Sequence, residues 1–172
     1  MRRLALFIAM GFCCANAQAQ YLDCEAGRAR VQRVVEMPGK DAAEIYRLAQ
    51  RWVALTFRNK DEVIQTEIEN ELVRGDGYEP KAIRMAGSHQ DFSYSFAIDI
   101  KDQRLRFTLQ DMKVGYPNAR NGFAVENYLF KADCSARNIP LQTKGVREGV
   151  EAFSSKLMLS LASALAEVKE DW

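Results

Sequence analysis

The 172-residue chain carries 24 Lys and Arg against 23 Asp and Glu, a formal net charge of +1, with 48% hydrophobic and 10% aromatic residues. That composition is too apolar for a disordered chain, and the even charge lacks the broad positive field on which nucleic-acid binding draws. The length suits one domain with a real core, and no apolar run reaches the about 20 residues of a membrane-spanning helix.

The N-terminus reads basic, then apolar, then small. Met1-Arg2-Arg3 precedes an apolar run from Leu4 to Ala15, and Ala15-Asn16-Ala17 and Ala17-Gln18-Ala19 are small-x-small sites. That is the layout of a secretory signal peptide. We expect residues 1–19 to be cleaved, leaving 20–172 as a single domain, periplasmic or secreted. Losing Arg2 and Arg3 removes two positive charges and no acid, taking the net charge from +1 to about −1. Cys13 and Cys14 leave with the signal. A lipoprotein would keep one of them behind a Leu-type residue and small residues, which Gly11-Phe12 matches poorly. Cys24 and Cys134 remain, and an even pair in an oxidising compartment suggests a disulfide tying the N-terminal tail to a late loop. Two free thiols are the alternative, because spacing alone does not show proximity. No C-x-x-C spacing supports a redox-active pair.

Arg28 to Met37 reads as a strand with Val31, Val35 and Met37 on one face, ended by Pro38-Gly39. Asp41 and Glu44 form a capping box for a helix with Ile45, Leu48, Trp52 and Leu55 beside Tyr46, Ala49, Val53 and Phe57. Asn59-Lys60-Asp61 ends it. Glu62 to Glu69 alternates as a strand with one wet side, Asn70-Glu71 is a tight turn, and Leu72 to Tyr78 is the return strand, with Gly75 and Gly77 marking a bulge.

A hairpin follows. Phe92, Tyr94, Phe96, Ile98 and Ile100 alternate with polar and small residues, as do Leu105, Phe107 and Leu109. Pairing around Asp102-Gln103 sets Ile100 against Leu105, Ile98 against Phe107 and Phe96 against Leu109, and Asp99 against Arg106 on the other face. The register fails at Asp111, so a β-bulge is predicted near Gln110 to Asp111. Between Gly115 and Lys144, Phe123 to Phe130 reads as an extra strand or a short helix. From about Val146 to Glu170, Val150, Phe153, Leu157, Leu161, Leu165 and Val168 recur at helical spacing.

One local pattern is specific. Val34-Val35-Glu36-Met37-Pro38-Gly39-Lys40-Asp41, then Ile45-Tyr46, Ala49 and Trp52, then Val63-Ile64-Gln65, resembles an exported bacterial family called domain of unknown function 4468, assigned a TBP-like fold. The resemblance covers about residues 31–114. It implies an α+β fold, a mainly antiparallel sheet with two helices on one face, and an exported protein. It implies no activity, and a shared fold does not carry DNA binding with it. Residues 115–144 depart from the pattern as an insertion, and Gln103 stands at a turn position where the family tends to have Gly.

Chemical signals are sparse. His89 is the one histidine, and in Ser88-His89-Gln90-Asp91 sequence neighbours rarely face one another, so a polar loop is the plainer reading. Pro38-Gly39-Lys40-Asp41 fails as a phosphate-binding loop, lacking Gly at Val34 and Ser or Thr at Asp41. Gly75-Asp76-Gly77 with Glu67, Glu69 and Glu71 lacks a calcium-ligand series. No cofactor or metal motif is found, and no catalytic residue is assigned. The remaining candidate is the sheet face away from the helices, with Ser93, Ser95, Asp99, Arg104, Arg106, Thr108 and Gln110, as a binding surface for an envelope protein or an extended peptide. A hydrolase using scattered carboxylates is the alternative.

Overall fold

Alternate side chains of a strand share a face, and Phe92, Tyr94, Phe96, Ile98 and Ile100 of one long strand are all buried on the same side. That strand lies near the middle of a seven-stranded antiparallel sheet in a computed structural model describing residues 21–116, 122–137 and 140–166. The signal segment expected over 1–19 lies outside the described residues, as does Val168.

The strands are β1 (Tyr21–Glu25), β2 (Arg28–Glu36), β3 (Ile64–Ile68), β4 (Leu72–Met85), β5 (Ser88–Lys101), β6 (Arg104–Gly115) and β7 (Phe123–Ala124). Their order is β1-β2-β6-β5-β4-β3, with β7 paired to β6 beyond the end of β2. The helices are α1 (Ala42–Thr56), α2 (Lys60–Val63), α3 (Val125–Leu129) and α4 (Pro140–Ala166). Both long helices pack on one face, as the sequence pattern requires. α1 buries Ile45, Ala49, Trp52 and Val53, and α4 buries Val150, Leu157, Leu161 and Leu165. Trp52 anchors the layer. Its ring meets Phe57, Phe96 and Phe107 edge-on at 5.8–6.2 Å, and its Nε1–H donates to Ser160 Oγ at 3.1 Å.

The start of α1 is tied to the β5–β6 turn. Asp41 accepts from the Glu44 amide at 2.8 Å, but the Glu44 carboxylate pairs with Lys40, so one half of the capping box forms. The Ala42 amide donates to Asp102 Oδ1 at 2.9 Å, while Met37 N donates to Gln103 O and Gln103 N to Lys40 O. Those three contacts hold Gln103 at φ 62, the turn conformation for which Gly is better suited.

The hairpin register is as read: Ile100, Ile98 and Phe96 face Leu105, Phe107 and Leu109, and Asp99 faces Arg106. Ser93 pairs with Lys113 but Ser95 with Gln110, so β6 carries one extra residue between them, with Asp111 at φ 50. This is the predicted bulge, and it returns Met112 and Val114 to the buried face.

Several boundaries differ. The tail expected before Arg28 is β1, joined to β2 through Ala26-Gly27, both at positive φ. Lys60 to Val63 is a helical turn, so the strand expected from Glu62 begins at Ile64. The turn spans 69–71, with Glu71 N donating to Ile68 O, and β4 runs on to Met85. Gly75 and Gly77 pair regularly with Phe96 and Tyr94; the nearby register shift lies in β3, between Ile64 and Thr66. The two glycines make room instead: a Cβ on Gly75 would meet Phe96, and one on Gly77 would meet the ring of Tyr94. α4 starts at Pro140 rather than Val146. Phe123 to Phe130 holds both a two-residue strand and a short helix.

Candidate functional site

The seven residues picked for a binding face lie on one side of the sheet. Asp99 pairs with Arg106, Ser95 with Gln110 and Ala97 with Thr108, while Ser93 and Arg104 follow in the same alternation. Neither long helix covers this side. Cross-strand polar pairs floor it instead. Arg106 Nε donates to Asp99 Oδ2 at 3.1 Å, Ser95 Oγ to Asp76 Oδ1 at 2.7 Å, and Gln32 Nε2 to Thr108 Oγ1 at 3.5 Å. Thr108 and Ala97 are nearly covered, at 9% and 5% exposure, so the floor is shallow and closely filled.

At the turn end the face dips into a depression of about 240 Å³ lined by Val34, Asp99, Lys101, Arg104, Leu105 and Arg106. Lys101 lies directly opposite Arg104. Among the described residues neither has an ion-pair partner, whereas Arg106 has Asp99. Val34, 38% exposed, adds an apolar wall from β2.

Sequence reasoning missed a larger feature. A groove of about 1030 Å³ lies between the α1–α2 connection and α4, along β4. Its lining mixes Phe57, Val63, Tyr94, Phe153 and Leu157 with Arg58, Glu62, Asp76, Glu79 and Lys156. Burial pushes the Tyr94 hydroxyl well above its usual range, with the Glu79 charge adding to it, so it stays protonated at neutral pH. The one early signal was Gly-Asp-Gly at 75–77, whose glycines leave space for the Phe96 and Tyr94 rings.

The Ser88-His89-Gln90-Asp91 run forms no relay. Ser88 Oγ donates to Met85 O and accepts from Gln90, and His89 Nδ1 sits 3.2 Å from Lys81 O. Asp91 accepts from Tyr78 Oη and from the Lys81 amide, bracing the irregular stretch of β4 between Glu79 and Ile83. Among the described residues no three His, Cys, Asp or Glu side chains gather to hold a metal. Cys24 and Cys134 meet in a disulfide with Cα atoms 5.5 Å apart, within the ordinary range.

Fold and site together define an α+β protein of the TBP-like class, with one helix-covered face and one open face. A crystal structure of a TBP-like protein from Parabacteroides distasonis is similar at TM-score 0.68 and 12% identity, over 86% of this chain and 99% of that one. A DUF4468 family protein from Bacteroides ovatus is similar at TM-score 0.63 and 16% identity, over 88% and 94%. At the level of sequence, residues 32–114 match the family described as "Domain of unknown function (DUF4468) with TBP-like fold". The resemblance read from the Pro-Gly, Ile-Tyr and Trp spacing is thus shown over that segment. No curated protein matches the sequence. Among the described residues no helix is long and apolar enough to cross a membrane.

Proposed function

We propose that the protein is an exported, non-enzymatic binding or accessory module of the cell envelope, periplasmic or secreted, acting through its open sheet face. One observation carries this reading. Lys101 and Arg104 oppose one another in register and line a depression, and neither closes an ion pair among the described residues although Glu36 of β2 lies across from Arg104. Like charges directly across a sheet destabilise it, and a docked anionic group offsets that cost. The surface therefore suits a carboxylate-bearing envelope protein or peptide, with Val34 as an adjacent apolar contact. The signal-like N-terminus and the Cys24–Cys134 bridge suit an oxidising compartment.

The test is native mass spectrometry on protein recovered from its own envelope, with wild type beside Lys101→Glu/Arg104→Glu. Lys113→Glu, on the same face but outside the depression, is the control. A partner retained by wild type and the control but lost from the double variant is expected. Equal retention by all three overturns the assignment to this face.

A further inference from the structure

The sheet has an edge inside the large groove. β3 pairs with β4 only over Leu72–Gly75. From Asp76 to Glu79 β4 keeps regular register with β5, Asp76 opposite Ser95 through Glu79 opposite Phe92. No strand among the described residues pairs with the other side of those four residues. Pro80 and the register shift before Ile83 then end the regular edge. Asp76 and Tyr78 point to the open face, Gly77 and Glu79 to the helix face, and all four line the same groove. Both faces of a strand border one groove only when its edge is exposed between them. An edge of that kind is a template for another strand.

Two further observations say what would sit there. Tyr94 is 5% exposed, its ring lies across Gly77, and its hydroxyl has no hydrogen-bond partner among the described residues. A buried tyrosine hydroxyl ordinarily has one, and this one lies on the floor of the groove. The edge itself is also acidic, bounded by Asp76 and Glu79, while Phe57 and Leu157 present apolar surface on the helical side, where Arg58 and Lys156 also line the groove. A residue paired across from Asp76 is favoured when basic. Its neighbour, opposite Gly77, points to the helices and is favoured when large and apolar, because it would meet the Tyr94 ring that covers Gly77 and the apolar surface of Phe57 and Leu157.

We propose that the β4 edge captures an extended peptide by strand addition along Asp76–Glu79, with a basic residue beside Asp76, a large apolar residue beside Gly77, and a peptide carbonyl accepting from Tyr94. This site is separate from the Lys101–Arg104 depression and stands on different observations.

The probe is a capped synthetic hexapeptide alternating Arg and Phe, with a twin N-methylated on alternate amides to remove the donors that would face β4. Calorimetry gives affinity and hydrogen exchange gives location. The expected result is protection centred on the amides of 76–79, with binding lost for the N-methylated twin. Tyr94→Phe should bind about tenfold more weakly, the scale of one hydrogen bond. Asp76→Lys, at an exposed position, should reverse the preference towards a Glu–Phe peptide. No added protection at 76–79, equal binding of the N-methylated twin, or an Asp76→Lys variant with unchanged preference each overturns the proposal.

Discussion

β4 and β5 are neighbours of equal length, 14 residues each, yet they do different work. β5 is paired along both edges, and its even-numbered residues from Phe92 to Ile100 are the centre of the core. β4 has a partner on its outer edge only over Leu72–Gly75, carries two glycines under aromatic rings, and is exposed at Asp76, Tyr78 and Glu79. One strand is spent on stability and its neighbour keeps an edge available. The difference comes from β3, which stops pairing at Gly75.

The contrast is breakable by substitution. Phe96→Ala on β5 removes a ring stacked on Phe57 and Phe107 and should cost about 3–5 kcal/mol in denaturant unfolding. Glu79→Ala on β4 should change stability by no more than about 0.5 kcal/mol. Similar losses at both would erase the distinction. Cys24→Ser/Cys134→Ser should cost about 5 kcal/mol on the chain-entropy model, given the 110-residue separation, again read from denaturant midpoints. Gly77→Ala sharpens the view of β4. Its methyl group meets the Tyr94 ring, so a loss of about 1–3 kcal/mol is expected where an ordinary edge strand would gain from the change.

Tyr94 adds a pH test. Its folded pKa is raised, by burial first and the Glu79 charge second, from a usual value of 10.0. The neutral hydroxyl is favoured in the fold, so its contribution is complete below about pH 10 and is lost as the unfolded chain ionises above it. Stability should fall more steeply above pH 10 in wild type than in Tyr94→Phe, measured by urea unfolding. The smallest effect belongs to the turn. Gln103→Gly relieves a φ of 62 and should stabilise by about 1 kcal/mol at most, visible as a small rise in Tm.

What the sequence disclosed follows from period and register. The β5–β6 pairing was legible because both faces had to be satisfied at once, and one register does that, down to the extra residue at Asp111. The N-cap at Asp41 and the apolar face of α1 were legible for the same local reason, except at Leu55, which the pattern put on that face and which is 70% exposed at the helix end. β1 was not, because Tyr21–Glu25 is short and charged and is held as a strand by its hairpin with β2. Nor was the groove. It is made by α1's end, α2, β4 and α4, which only tertiary packing brings together, and Gly75 and Gly77 read alone suggest a bulge rather than room for rings. That these residues share one side of the sheet was legible from the alternation, but the depression depends on Val34 reaching it from β2.

The Cys24–Cys134 bond also fixes how the molecule fails under proteolysis. Every strand from β2 to β7, with α1, α2 and α3, lies between the two cysteines, so the bond closes nearly the whole sheet into a covalent ring. A single cut anywhere in that ring opens it without releasing a fragment, and the severed ends stay tethered while the sheet holds them in register. Wherever peptidases reach it, a nicked copy would remain one molecule until the bond itself is reduced.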